Sequence, residues 1–229
     1  MKLKSNKFCT FIFARKGSVG IKNKNLKKIK GKSLVEITLS TAKKVFNQKN
    51  IYISTDCEKI KKIALKYKVN IINRPKKLAT SNAKEWDAWR HAINEVSKSK
   101  KFDNFISLPV VSPLRSYVDI KNGIKLFEKS KNIDGVIGIN KAKKNPWFNM
   151  VTISSNLIRL ASYSRQKFYN RQQAPNVYEI NTVIYIFKKK FIIKKNHIFD
   201  GRIKGIEIPF PRCIDIDDKF DLKTAKYFY

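Results

Sequence analysis

FIFARKGSVGIKNKNL, Phe11 to Leu26, carries an apolar strand straight into a glycine-punctuated, cationic loop ahead of a helix. A strand followed by such a loop is the entry to a βαβ unit and a place where phosphate is commonly received. Gly17 and Gly20 let the backbone turn tightly and approach a ligand with no Cβ in the way, while Arg15, Lys22 and Lys24 supply charge for phosphate oxygens. Glycine and lysine also build ordinary loops, so the segment alone is equally a plain strand-to-helix turn. Other segments have to decide it.

On either side of that stretch, short β-branched or aromatic runs alternate with longer segments of helical period. Phe8 to Phe13 is the first strand, and Ser33 to Phe46 puts Leu34, Ile37, Thr41 and Val45 on one helical face. Ile51 to Ser54 is a second strand; Thr55 and Glu58 then stand at capping-box spacing for a helix to Tyr67. Val69 to Ile72 is a third strand, followed by a polar loop with Arg74-Pro75 and a helix near Ala83 to Ser97. Phe105 to Leu108 leads into SPLR, Ser112 to Arg115, a helix from Tyr117 to Glu128, and a strand at Asp134 to Ile139. This alternation predicts right-handed βαβ units and an α/β fold: a mostly parallel sheet with helices on both faces. Ligands of such sheets bind beyond the carboxyl ends of the strands, so the glycine loop, Asp56 and SPLR are expected at one edge.

The 229 residues suit one domain, 1–229, with room for a small excursion at about 141–187. Formal charge is +33, which by itself points to a polyanion partner. Of the 50 basic residues only nine are arginine, and the lysines are spread through nearly every segment rather than gathered on one face. A nucleic-acid binder clusters its charge and uses arginine among its base readers, so no specific nucleic acid is expected. Cys9, Cys57 and Cys213 stand far apart with two histidines in the whole chain, which argues against a zinc site or a disulfide framework and for a reducing cytoplasm. The opening MKLKSNKFCTFIFARKG reads as a first strand rather than a signal peptide, and no window reaches the roughly 18 apolar residues of a membrane span.

The last third changes character. Met150 to Ile153 and Leu157 to Leu160 read as a hairpin around Ser154-Ser155-Asn156; with the later strand Ile180 to Phe187, this part is expected to leave the main sheet as a subunit arm. Between them lies the polar loop YNRQQAPN, Tyr169 to Asn176. Near the end, CIDIDDKFDL alternates Asp215 and Asp217 with Ile214 and Ile216, which in a strand places both carboxylates on one side. They read either as partners of surface lysines and caps of a helix starting near Asp218, or as a Mg²⁺ site, since Mg²⁺ takes one or two carboxylates and completes its shell with water and phosphate. A cationic glycine loop together with Asp-x-Asp is what nucleotidyl transfer requires. A metal-dependent glycosyltransferase would share the sheet and the Asp-x-Asp, but would carry that motif mid-chain.

Taken together, these segments resemble the acylneuraminate cytidylyltransferases, the CMP-sialic acid synthetase family. The resemblance rests on FARKGSVGIKNKNL, then in order ISTD (Ile53 to Asp56), Arg74-Pro75 with Leu78-Ala79, SPLR, RQQAP (Arg171 to Pro175) and IDID (Ile214 to Asp217), from about Phe8 to Tyr227. KNPWFNMV, RQQAP and INTVIYIFKKKF look nearest to the branch that activates legionaminic-type acids. The resemblance implies a Rossmann-like sheet with a dimerisation arm, and transfer of CMP from CTP to a nine-carbon α-keto sugar acid in a homodimer. It further implies that Ala14, Arg15, Gly17, Ser18, Lys24, Asn25 and Arg74 hold the nucleotide, Arg15 and Lys24 also acting in catalysis. Asp215 and Asp217 would hold Mg²⁺, and Arg171, Gln173 and Asn181 would meet the sugar. Lys16, Val19, Pro109 and Glu179 depart from the family pattern, the last two in the acceptor half. Trp86 and Trp89, at helical spacing, read as core or interface; Tyr185 and Phe187 as candidates for the dimer interface; Glu85 as a solvated residue or one facing the sugar; and His197 as a surface residue.

Overall fold

In a computed structural model, residues 7–17 and 20–229 are described. In chain order the elements are β1 (Phe8–Phe13), β2 (Lys28–Ile29), β3 (Lys32–Ser33), α1 (Leu34–Val45), β4 (Ile51–Thr55), α2 (Glu58–Lys66), β5 (Asn70–Asn73), α3 (Glu85–Ser97), β6 (Asn104–Ser107), α4 (Tyr117–Lys129), β7 (Gly135–Lys141), β8 (Val151–Ser154), β9 (Leu157–Leu160), β10 (Tyr178–Lys188), α5 (Lys189–Lys194), β11 (Ile203–Glu207) and α6 (Lys219–Phe228). Seven strands form the main sheet in the order β11-β7-β10-β6-β1-β4-β5. Every neighbouring pair is parallel except those of β10, which runs antiparallel to both β6 and β7.

Strand alternation divides the core into two layers. Phe8 and Ile12 of β1 join the cluster beneath α1, α2, α4 and α6, while Cys9 and Phe11 turn to the other face, under α3 and α5. Both faces are covered, which is why β1 and β6 read as nearly continuous apolar runs. Trp89 is 1% exposed, its ring centroid 5.2 Å from that of Phe105 and 5.7 Å from that of Phe187. Truncating such a side chain to alanine costs about 3–5 kcal/mol. Capping boxes start α1 (Ser33 with Glu36), α4 (Ser116 with Asp119) and α6 (Asp218 with Asp221). Each satisfies backbone N–H groups that the first turn leaves unpaired.

Four expectations are corrected. The late strand does not leave the main sheet: β10 is inserted at its centre, and Tyr185 and Phe187 pack into the α3/α5 layer rather than onto an interface. Of this last third only β8 and β9 stand apart, as β2 and β3 do earlier in the chain; they are joined by Ser155 and Asn156 with φ of 50° and 63°, the left-handed pair that suits a tight hairpin. Thr55 forms no capping box with Glu58, because Cys57 is the N-cap of α2; the buried Thr55 hydroxyl accepts from the Cys57 N–H at 3.1 Å and donates to the Ala14 carbonyl at 2.6 Å, tying β4 to the end of β1. Asp215 and Asp217 lie on extended chain outside any sheet ladder.

Candidate active site

Three loops meet at the carboxyl rim because β1, β4 and β6 are adjacent and parallel. The Lys16 N–H donates to Asp56 Oδ1 at 2.7 Å, and the Arg74 N–H donates to the Thr55 carbonyl at 3.0 Å, so the turns after β1, β4 and β5 are stitched side by side. Asn25 is buried and uses its amide N–H to hold the Arg15 carbonyl at 3.0 Å. Between these turns opens a cleft of about 520 Å³. Arg15, Gly17, Gly20, Lys24, Asn25, Arg74 and Asp217 line it, together with Phe13, Thr80, Ser81, Ala83, Glu85 and Val111.

The acidic stretch reaches this cleft from the far end of the sequence. The Ile216 N–H donates to the Val111 carbonyl at 2.9 Å, and its side chain is fully buried, which fixes the residues on either side of it. Lys24 Nζ donates to the Ile216 carbonyl at 2.7 Å and pairs with Asp217 Oδ1 at 3.2 Å. The two side chains are 15% and 83% exposed, so the ammonium is tucked in and the carboxylate faces the opening. Gly20 has its own reason for lacking a side chain: a Cβ there would lie 2.3 Å from the Asp217 carbonyl oxygen. Its role is backbone-to-backbone approach, not a positive φ.

Asp215 is held differently. Its Oδ1 accepts from the hydroxyls of Ser112 and Thr182, both at 2.6 Å, and its Oδ2 accepts from the Thr182 N–H at 3.0 Å. Hydrogen bonds to an ionised acceptor of this kind are each worth about 1.5–3 kcal/mol. Thr182 can reach because β10 breaks register against β7 between Ile180 and Tyr185, and such irregularities re-aim side chains. The SPLR turn completes the knot. Arg115 is buried and donates to the carbonyls of Val183, Pro109 and Thr182, and burial lowers its pKa to about 10 against the pull of Asp215 and Asp119. Ser112 and Thr182, unassigned by the sequence, therefore decide where Asp215 points; the position of SPLR directly after a strand was their only signal.

Of the nucleotide residues expected from sequence, Arg15, Gly17, Lys24, Asn25 and Arg74 line the cleft, Ala14 lies buried at the foot of its loop, and Ser18 falls outside the described residues. The sugar residues are not brought there. Arg171 donates to the Ala142 carbonyl and lines a separate hollow of about 230 Å³ with Lys141, Lys144 and Asn145. Gln173 turns back to accept from the Tyr169 N–H at 3.1 Å. Asn181 is buried, donating to Asn140 Oδ1 and accepting from the Val183 N–H. Glu179 accepts from Asn140 and from the Lys143 N–H.

Arg74 and Glu85 line the same cleft. Arg74 Nε donates to the Leu78 carbonyl at 2.7 Å. Burial lowers its pKa, Asp56 and Glu85 oppose that shift, and Arg15 adds to it. The surrounding protein raises the pKa of Glu85, against the indole N–H of Trp89 and the charge of Arg74. Among the described residues that indole N–H makes no hydrogen bond, so it lies near Glu85 without bonding it.

A phosphate-accepting loop, two nearby cations and an exposed carboxylate on one rim suit a nucleoside triphosphate. Comparison with known proteins agrees. A family model described as Cytidylyltransferase matches residues 10–223. The chain is 34% identical over 223 residues to post-translational flagellin modification protein B of Campylobacter coli, covering 96% of this chain and 93% of that one. It is 31% identical over 222 residues to CMP-N,N'-diacetyllegionaminic acid synthase of Campylobacter jejuni, with the same coverage. N-acylneuraminate cytidylyltransferase of Streptococcus agalactiae is 26% identical over 210 residues; the match takes in 91% of this chain and 50% of that longer protein. Among solved structures, a CMP:2-keto-3-deoxy-manno-octonic acid synthetase complexed with CTP superposes with a TM-score of 0.69 at 13% identity, over 97% of this chain and 98% of that one. A 4-diphosphocytidyl-2C-methyl-D-erythritol synthase gives 0.68 at 10% identity, over 96% and 97%. Those two likenesses are of fold.

Proposed function

The chain belongs to the cytidylyltransferase family, and we propose that it transfers CMP from CTP to the anomeric hydroxyl of a nonulosonic acid of the sialic or legionaminic type. The hydroxyl oxygen attacks the α-phosphorus, an O–P bond forms, and the bond to the bridging oxygen breaks to release pyrophosphate. One observation carries this reading: Arg15, Lys24, Arg74 and Asp217 line a single cleft although they come from distant parts of the sequence. The two full-length relatives above, named for flagellin modification and for legionaminic acid activation, support the acceptor class.

In this reading Arg15 and Lys24 hold the triphosphate with Gly17 and Ser18, Ala14 and Asn25 shape the loop, and Arg74 lies against the nucleoside. Lys24 is the residue whose charge moves from Asp217 to a phosphate oxygen as CTP enters. Much of the rate enhancement comes from setting the hydroxyl in line with the α-phosphate. Mg²⁺ fits the donor set: the Asp217 carboxylate is open to the cleft, and Asp215, already accepting three hydrogen bonds, keeps a vacant lone-pair direction. Asp217 and Asp215 would hold the ion with the triphosphate, where it offsets charge building on the phosphoryl oxygens and the leaving pyrophosphate. Arg171, with Lys141 and Lys144 beside it, grips the sugar carboxylate, a task that suits a planar guanidinium. Gln173 adds a polar contact, and Asn181 shapes the strand behind it.

We place a second copy of the chain on the β8–β9 arm. All eight of its strand residues are exposed, and Ile153, Leu157 and Ile158 are 74%, 63% and 69% exposed, a patch that water disfavours. Among the described residues no helix is long and apolar enough to cross a membrane, and the cysteines are free, which fits a cytoplasmic enzyme. The test is pyrophosphate release from CTP and Mg²⁺ with a panel of nonulosonic acids. Release with at least one is expected; none across the panel, at any Mg²⁺ concentration, overturns the assignment.

A further inference from the structure

The cleft contains one acidic group with no evident place in the proposed chemistry. Glu85, the first residue of α3, lines the same cleft as Arg15, Lys24 and Asp217, near enough to Arg74 for each to act on the other's charge. A carboxylate there repels a triphosphate and equally repels the carboxylate of a sugar acid. It suits a part of the substrate that carries no negative charge and offers a hydrogen-bond donor, and in a cytidine nucleotide the amino group of the base is such a part.

The surroundings fit a planar heterocycle. Phe13 and Val111 give the cleft apolar surface, and Thr80, Ser81 and Ala83 keep its wall low. Arg74 and Glu85 influence each other's titration, but no ion pair joins them among the described residues. A donor and an acceptor thus face one cavity with space between them. Arg74 has spent Nε on Leu78, and its terminal nitrogens make no other hydrogen bond among the described residues.

We propose that Glu85 selects cytosine over uracil, its carboxylate accepting the exocyclic N4 amino group while Arg74 donates to O2, which both bases share. Cytosine and uracil differ at C4 and N3. Cytosine presents a donor at C4 and an acceptor at N3; uracil presents an oxygen acceptor and an N–H. Glu and Asp are the usual side-chain acceptors for the N4 amino group of cytosine. Against uracil the carboxylate would meet the lone pairs of O4, and both groups would be left unpaired and partly desolvated, which is how a polar site rejects an isostere. The inference rests on the CTP-dependent reading above and adds a specificity residue to it.

The experiment is calorimetric titration of CTP and UTP, each with Mg²⁺ and without sugar acid, into the intact protein and into Glu85→Gln. The intact protein should prefer CTP by roughly 10- to 100-fold, the scale of one well-made base contact. Glu85→Gln can turn its amide to either base, so the preference should collapse to about threefold or less, mainly through tighter UTP binding. A folded variant that keeps the full preference overturns the inference and leaves the proposed reaction standing, because CTP still binds. An intact protein that binds neither nucleotide overturns both. A second measurement needs no variant: the triphosphate of pyrimidin-2-one riboside, which lacks the N4 amino group, should bind the intact protein about tenfold more weakly than CTP. Equal affinity overturns the inference.

Discussion

The carboxyl rim and the β8–β9 arm are built on opposite principles. At the rim each functional residue is fixed by groups far away in sequence: Lys24 by Ile216 and Asp217, Asp215 by Ser112 and Thr182, Lys16 by Asp56. In the arm the bonds are local. The Ala161 N–H donates to the Met150 carbonyl, the Asn145 N–H donates to Asn149 Oδ1, and the apolar side chains of both strands face outward. The rim is tied together by bonds within this chain; the arm has surface but no core. A region closed on itself tolerates little change and gives much of its structure away in its motifs, whereas a region without a core has only its exposed apolar residues to announce it.

The largest effect should separate the two carboxylates within the rim. Asp217→Ala removes an exposed group with one ion-pair partner, so pyrophosphate release should fall by roughly 10²- to 10³-fold while the melting temperature stays within about 2 °C. Asp215→Ala strands the Ser112 and Thr182 donors and should in addition cost about 2–3 kcal/mol in urea unfolding. Equal stability of the two variants would mean that the network around Asp215 is not what holds this stretch in place. Next in size, Ile153→Asp on the arm should convert a dimer to a monomer by sedimentation, with the monomer's unfolding free energy changed by less than about 0.5 kcal/mol. A dimer that survives the substitution would move the interface elsewhere and leave the arm's exposed face without an explanation.

The smallest effect concerns His91 on α3. Its Nδ1 is buried without a partner among the described residues, and burial lowers its pKa, with Glu95 opposing and Lys98, Arg74 and Lys77 reinforcing the shift. A folded-state pKa below the unfolded value means that the unfolded chain takes up the proton first. The stability is therefore fully present above about pH 6.5 and declines as pH falls below it. Thermal melts between pH 8 and 5.5 should show a modest decline that His91→Gln removes; the other histidine, His197, is exposed and caps a short turn. A decline of the same size in the variant would assign it to other groups.

The parallel strands, the crossover helices and the meeting of loops at one rim were legible because alternation and helical period report burial directly. Strand order was not. Nothing in the composition of β10 says that it runs antiparallel between β6 and β7, since a strand buried on both faces reads the same in either direction. β11 escaped because Gly205 interrupts its pattern: the missing side chain makes room for Ile139, and a Cβ there would lie 2.4 Å from the Ile139 Cδ1. Thr55 has capping-box spacing to Glu58, but its hydroxyl instead bridges the Cys57 N–H and the Ala14 carbonyl across the sheet, a geometry that spacing along the chain does not report. The Asp-x-Asp was found by type and spacing; its division into one open and one anchored carboxylate depends on Ser112 and Thr182, which only the fold brings near.

The break in register of β10 has a mechanical corollary. Tyr178 pairs with Lys141 at the root of the arm, and Thr182, on the same strand, clasps Asp215. One strand thus runs from the root of the arm to the carboxylate of Asp215. A tilt imposed on its outer end would reach that carboxylate through the irregular stretch between Ile180 and Tyr185, the place on the strand where it could be absorbed or passed on.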